Sequence, residues 1–311
     1  MMKPSPNITR RHRRKISLII RNRKIRRCFL LLSTIIFVFP LSLYFTLAYV
    51  INQDPRILPP ALKETKNVLF VTARPGAESL WLAPTVRGVL RPGEKNPGGR
   101  IGGLLVLADG EGNRGGEAER RRKAEEMRRS CLVLGIAEER CVVLRGEQLN
   151  DDPVLQWSEH AVEEALEMYV KKWNIDLIVT LDQGVISPYT DHRALSSAIQ
   201  TYASTNIHAP TTYVLKSVSS PRKYISLLDL PLTSISFTWR MFRALTSSID
   251  AHDRSYSQRA LLVNTWHSYI MSRKALASYS SHHSWDRDFV YMFSRNLWIN
   301  ELKLVERESG V

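Results

Sequence analysis

The residues best placed to do chemistry lie where an apolar run gives way to a turn. Asn67-Val68-Leu69-Phe70-Val71-Thr72-Ala73 reads as a buried strand, and Arg74-Pro75-Gly76-Ala77-Glu78-Ser79 follows as a small-residue turn that leads into a helix. In an α/β sheet a ligand site opens beyond a strand's carboxyl end, where backbone N–H groups and side chains converge. Glu78 is the acid of this turn. It can serve as a ligand or base, or simply as a first-turn carboxylate favoured by the helix dipole. A second cluster, Ser187-Pro188-Tyr189-Thr190-Asp191-His192, comes after the apolar run Ile175–Leu181. His192 is there a ligand or a histidine at a helix N-terminus bonded to a neighbour. His282 and His283 are adjacent, and the pair alone does not make a metal site. Cys28, Cys131 and Cys141 have no CxxC spacing, so they form neither a disulfide framework nor a zinc signature. They read as small buried hydrophobes in a reducing compartment.

These residues need a scaffold, and the apolar patterning supplies one. Strands are expected over residues 67–73, 101–107, 141–144, 175–181 and 211–216. Helices are expected over 79–90, 117–134 with Gly135 past the end, 159–173 capped by Ser158, and 192–202. Residues 91–100, with two prolines and three glycines, read as a loop. Buried strands alternating with helices predict an α/β fold, Rossmann-like, with a mainly parallel sheet and helices on both faces. The last seventy or so residues, rich in Trp, Tyr and His, are expected to form helices on the sheet's flank.

The net charge of +14 is concentrated at one end. Residues 1–27 hold 11 Lys or Arg and no acid, which leaves 33 basic against 30 acidic residues elsewhere. Nucleic-acid binding calls for basic residues spread over a folded surface, so that function class is set aside. The basic tail instead abuts residues 28–51, which are 24 residues without a formal charge. At about 1.5 Å per residue this run reaches roughly 36 Å, enough for a hydrocarbon core of about 30 Å. It is longer than a signal-peptide core and no Ala-x-Ala site follows, so it reads as an uncleaved transmembrane helix. The expected organisation is a basic tail over 1–27, a transmembrane helix over 28–51, a linker over 52–66, one domain over 67–302 and a tail over 303–311.

Several of these segments closely resemble the PIG-L/LmbE-like de-N-acetylases. Ala73 to Glu78 matches that family's Ala-His-Pro-Asp-Asp-Glu, with Arg74 at the His position and Gly76 and Ala77 at the two Asp positions. Residues 187–192 match its Gly-His-x-(Asn/Asp)-His, with Tyr189 at the first His and Asp191 and His192 keeping identity. Leu107-Ala108-Asp109-Gly110, Glu126 to Ile136, Trp173-Asn174-Ile175-Asp176, Arg222 to Pro231, Trp285-x-Arg287, Phe293-Ser294-Arg295 and Asn300-Glu301-Leu302 continue the resemblance. Tyr279-Ser280-Ser281-His282 replaces the family's His-x-Ser-Gln.

The resemblance implies a zinc-dependent hydrolase removing the N-acetyl group of N-acetylglucosaminyl phosphatidylinositol in GPI-anchor synthesis. It also implies a single-pass protein of the endoplasmic reticulum membrane with its main domain in the cytosol; the basic tail implies the opposite orientation. Such a hydrolase needs three metal ligands with an open position, a base and an oxyanion donor. Of the ligands the motifs would supply, only His192 remains, and the base and Tyr189 positions are substituted. The chain is therefore expected to be catalytically impaired, with zinc weakly held or absent. Glu78, Lys123 and Asp191 are expected to face the glycolipid substrate, Lys123 (beside Arg122) meeting its phosphate unless it is ordinary solvated helix charge. The alternative is a non-catalytic protein of the same pathway that binds a glycolipid or a partner.

Overall fold

The computed structural model describes residues 23–92, 99–108, 116–144, 157–184, 190–246, 254–279 and 291–307; of Thr190, Asp191 and His192 it describes the backbone alone. Among the described residues the sheet has seven strands: β1 (Asn67–Thr72), β2 (Ile101–Val106), β3 (Cys141–Val143), β4 (Leu177–Leu181), β5 (Thr211–Leu215), β6 (Arg259–Val263) and β7 (Ile299–Leu304). Their order is β3-β2-β1-β4-β5-β7-β6. The first five are parallel to one another, and β7 is antiparallel to both β5 and β6. The order runs one way from β1 to β3 and the other way from β4 to β5, so the sheet reverses direction between β1 and β4. The fold is α/β and doubly wound.

Strand β1 shows why the apolar run is continuous. Val68 and Phe70 join the core on one face of the sheet, Leu69 and Val71 the core on the other, and all four are fully buried. A strand covered on both faces has no polar side to expose. The first face is covered by α2 (Ala83–Leu90), α3 (Glu117–Leu134) and α7 (Trp266–Ala277), the second by α4 (Glu159–Trp173) and α5 (Thr190–Thr205). Gly135 ends α3 with a φ of 92°, the left-handed conformation that carries no Cβ penalty for glycine. Ser158 occupies the N-cap of α4, but its side chain makes no capping hydrogen bond.

Three expectations are corrected. The C-terminal region does not only add helices: β6 and β7 extend the sheet, tied by Glu301 on β7, which pairs with Arg259 and accepts from Lys216 Nζ at 3.1 Å. Residues 52–66, read as a linker, place Ile57, Leu58 and Leu62 in buried positions. Cys131 and Cys141 are not independent thiols. They form a disulfide between α3 and β3, with Cα atoms 6.5 Å apart. This pairing argues against the reducing-compartment reading, because disulfides persist where the environment is oxidising. The Ser158 cap, as noted, is positional only.

One helix, α1 (Ile25–Val50), is long and apolar enough to cross a membrane, with a mean hydropathy of 2.3. Its last turns are not isolated. Leu43, Tyr44, Leu47 and Ala48 are buried with Leu230, Phe237, Leu297 and Trp298 in a third apolar cluster. Beside that cluster Arg295 is fully buried against Asp229, whose carboxylate also receives Arg222 Nη2 at 3.0 Å and Thr233 Oγ1 at 2.6 Å.

Candidate functional site

Strand β1 ends at Thr72, and Arg74 follows two residues later at the carboxyl edge of the sheet. Its neighbour β4 is parallel, so it ends on the same edge; the chain then returns through α5, which carries Asp191 and His192 in its first turn. Arg74 and His192 thus belong to the segments that follow two adjacent strands at the point where strand order reverses. Crevices at such points hold ligands in open α/β sheets. Tyr189, His282 and His283 lie outside the described residues, as do the side chains of Asp191 and His192.

The turn after β1 closes tightly. Arg74 O accepts from Ala77 N at 3.4 Å and Gly76 O from Leu80 N at 3.1 Å. Gly76 has a φ of 90°, a conformation that costs a residue with a Cβ. Arg74 is half-buried, whereas Ala77 is buried in the core. Neither Gly76 nor Ala77 has a side-chain donor for a metal.

Glu78 has no solvent exposure at all. Its Oε1 accepts from Tyr279 Oη at 2.6 Å and from Ser130 Oγ at 3.0 Å, and its Oε2 accepts from the Gly76 backbone N–H at 2.9 Å. One carboxylate therefore ties the β1 turn to α3 and to the residue just past α7. Burial raises the Glu78 carboxyl above its ordinary value, while these three hydrogen bonds act against that rise. Burial and the adjoining carboxylate push the Tyr279 hydroxyl well above its ordinary range. Against the expectation that Glu78 faces substrate, both of its oxygens are hydrogen-bonded inside the protein. Tyr279 and Ser130 are the residues that single-motif reading missed as a unit. Ser130 lies within the resemblance segment 126–136, and that was the available signal.

Lys123 is half-buried on α3, two turns before Ser130. Its neighbour Arg122 donates from Nε to the buried Glu126 at 3.3 Å, so Arg122 is occupied by an ion pair within its own helix. Among the described residues no three His, Cys, Asp or Glu side chains lie close enough together to hold a metal. The residues at 74, 76, 77 and 78 do not fit a zinc ion: one is a fixed cation, two lack donors, and the fourth is buried in hydrogen bonds.

A doubly wound sheet with a turn and a helix following adjacent strands at its reversal point makes that edge the candidate ligand site of an α/β protein. Residues 69–203 match the family described as PIG-L: GlcNAc-PI de-N-acetylase. The N-acetylglucosaminyl-phosphatidylinositol de-N-acetylase of Bos taurus is 28% identical over 241 residues, covering 77% of this chain and 83% of that protein. The enzyme of the same name from Arthroderma benhamiae is 23% identical over 329 residues, covering 88% and 98%. Among solved structures, the N,N'-diacetylchitobiose deacetylase of Pyrococcus horikoshii is similar with a TM-score of 0.47 at 14% identity, covering 86% of this chain and 92% of that one. Over residues 69–203 the chain is similar to the PIG-L family, in line with the resemblance of its sequence motifs.

Proposed function

We propose that this protein is a membrane-held, glycolipid-recognising member of the GPI-anchor pathway in which hydrolysis is impaired and zinc is weakly held or absent. The pathway and substrate class rest on the relatives' names, which specify N-acetylglucosaminyl phosphatidylinositol. The observation that carries the impairment is the commitment of Glu78. It is the surviving acid of the first motif, and its two oxygens hold Gly76, Ser130 and Tyr279 together. With no carboxylate free in this turn, nothing there can deprotonate water or hold a dication. Arg74 supplies a permanent positive charge instead, which suits a phosphate. The glycolipid's phosphodiester is the group that would meet it.

Binding and hydrolysis separate in one experiment. The purified full chain in lipid nanodiscs should bind N-acetylglucosaminyl phosphatidylinositol in preference to phosphatidylcholine. Arg74→Ala should weaken that binding about tenfold, equivalent to roughly 1.4 kcal/mol and close to the lower end for a charged hydrogen bond. Binding unaffected by Arg74→Ala would overturn the assignment of the phosphate to this residue.

We assign the protein to the endoplasmic reticulum membrane, on the pathway of its relatives and the length and hydropathy of α1. Resemblance favours a cytosolic domain. Two physical features, the 11 basic residues before α1 and the Cys131–Cys141 disulfide, favour the lumenal side, and we adopt the lumenal orientation. Protease added to sealed microsomes should leave the domain intact. Digestion of the domain would restore the cytosolic orientation.

A further inference from the structure

The surface beside the end of α1 carries a row of apolar side chains that none of the described residues covers. Leu228, Leu232, Ile235, Trp239, Phe242 and Leu245 are spaced three or four residues apart and are each between 45% and 68% exposed. They run through the short helix Leu230–Ser234 and into α6 (Thr238–Thr246). The other side of α6 faces the protein, with Met241 and Ala244 packed on the third apolar cluster and two arginines reaching neighbouring segments. Arg240 Nη1 donates to Arg259 O at 2.9 Å, and Arg243 Nη1 donates to Tyr256 Oη at 3.2 Å. Such a helix is amphipathic in the sense of helices that lie in a membrane interface.

The depth of this row follows from the length of α1. The first residue after the basic tail is Cys28, and the first residue of α1 buried against the domain is Pro40. Cys28 to Phe39 is 12 residues, about 18 Å of helix, whereas a hydrocarbon core is about 30 Å thick. The span must therefore draw on the turns that are packed against the domain, to about Leu47, and any tilt draws on still more. Those turns bury Leu43, Tyr44 and Leu47 against Leu230 and Phe237, the residues that flank the exposed row. Aromatic rings cluster at the same level. Tyr44 meets Trp298 edge-on at 5.7 Å between ring centroids, and the exposed Tyr49 accepts the Trp266 backbone N–H at 2.9 Å. Aromatic side chains concentrate at the headgroup level of membrane proteins.

We infer that residues 228–245 form a second membrane contact, with Ile235, Trp239 and Phe242 seated in the bilayer interface beside α1, so that the domain is partly sunk into the lipid rather than tethered above it. The occupant of the apolar row is lipid, because the row adjoins a helix that reaches across the bilayer only if its packed end is at lipid depth. This inference is independent of the glycolipid reading.

The test uses the wild-type full chain in phosphatidylcholine vesicles containing a phosphatidylcholine with a photoreactive diazirine on its acyl chain. After illumination, adducts are mapped on peptides by mass spectrometry. Adducts are expected in α1 and in residues 228–245, and not around Ile207, which is 80% exposed in the α5–β5 connection. In a variant with Ile235→Glu, Trp239→Glu and Phe242→Glu, adducts in 228–245 should fall at least tenfold while those in α1 persist. Adducts confined to α1 in the wild-type protein would overturn the inference, as would undiminished labelling of 228–245 in the variant.

Discussion

Glu78 draws its three donors from residues 76, 130 and 279, the last 201 positions away in the chain. No spacing rule connects them, so the residue reads equally as base, ligand or helix-dipole acid until the fold is known. Gly76 is similar: glycine at a family Asp position is visible in the sequence, but its φ of 90° is not. Two predictions belong at this scale. Because burial raises the folded-state pKa of Glu78, its protonated form contributes stability that is fully present below the ordinary value of 4.5 and is lost as pH rises through the folded value. Glu78→Gln should remove that part of the pH dependence, read as melting temperature across a pH series; an unchanged slope would mean the carboxyl is not desolvated. The second concerns repair. Arg74→His with Gly76→Asp and Ala77→Asp should raise zinc retention after dialysis above that of the wild type. Gly76→Asp should also destabilise the fold by about 1–2 kcal/mol, because a side chain must enter the left-handed region.

At the scale of elements, five parallel strands and four of the helices were legible because apolar runs of strand length alternate with helical periodicity. What escaped was the antiparallel pair β6–β7. Its strands alternate little, and they pair across a segment of more than thirty residues with β7 inserted between β5 and β6. The resemblance segments around Arg222 and Arg295 were visible, yet their purpose was not: they meet at one carboxylate, Asp229. That network holds the α1-proximal cluster to the sheet. Asp229→Ala leaves the fully buried Arg295 without its counter-charge and should cost roughly 3–5 kcal/mol, read from denaturant unfolding in detergent. A cost below about 1 kcal/mol would show that the ion pair contributes little beyond filling space.

At the scale of the molecule, composition gave the anchor and the charge asymmetry, while the disulfide was hidden. Cys131 and Cys141 are ten residues apart, and only the packing of β3 beside the end of α3 brings them to bonding distance. Protein isolated from membranes without reductant should therefore take one maleimide-polyethylene glycol per chain, on the exposed Cys28, and three after reduction and unfolding. Three adducts without reductant would contradict both the pairing and the lumenal orientation.

We propose that a fold similar to that of the PIG-L family here binds a glycolipid without hydrolysing it. The most direct test is the release of acetate from N-acetylglucosaminyl phosphatidylinositol by the unmodified full chain in nanodiscs, with zinc supplied. No release above the rate seen with empty nanodiscs is expected. Turnover that a chelator or His192→Ala abolishes would contradict it, and would assign to Asp191 and His192 a metal site that residues 74–78 do not provide.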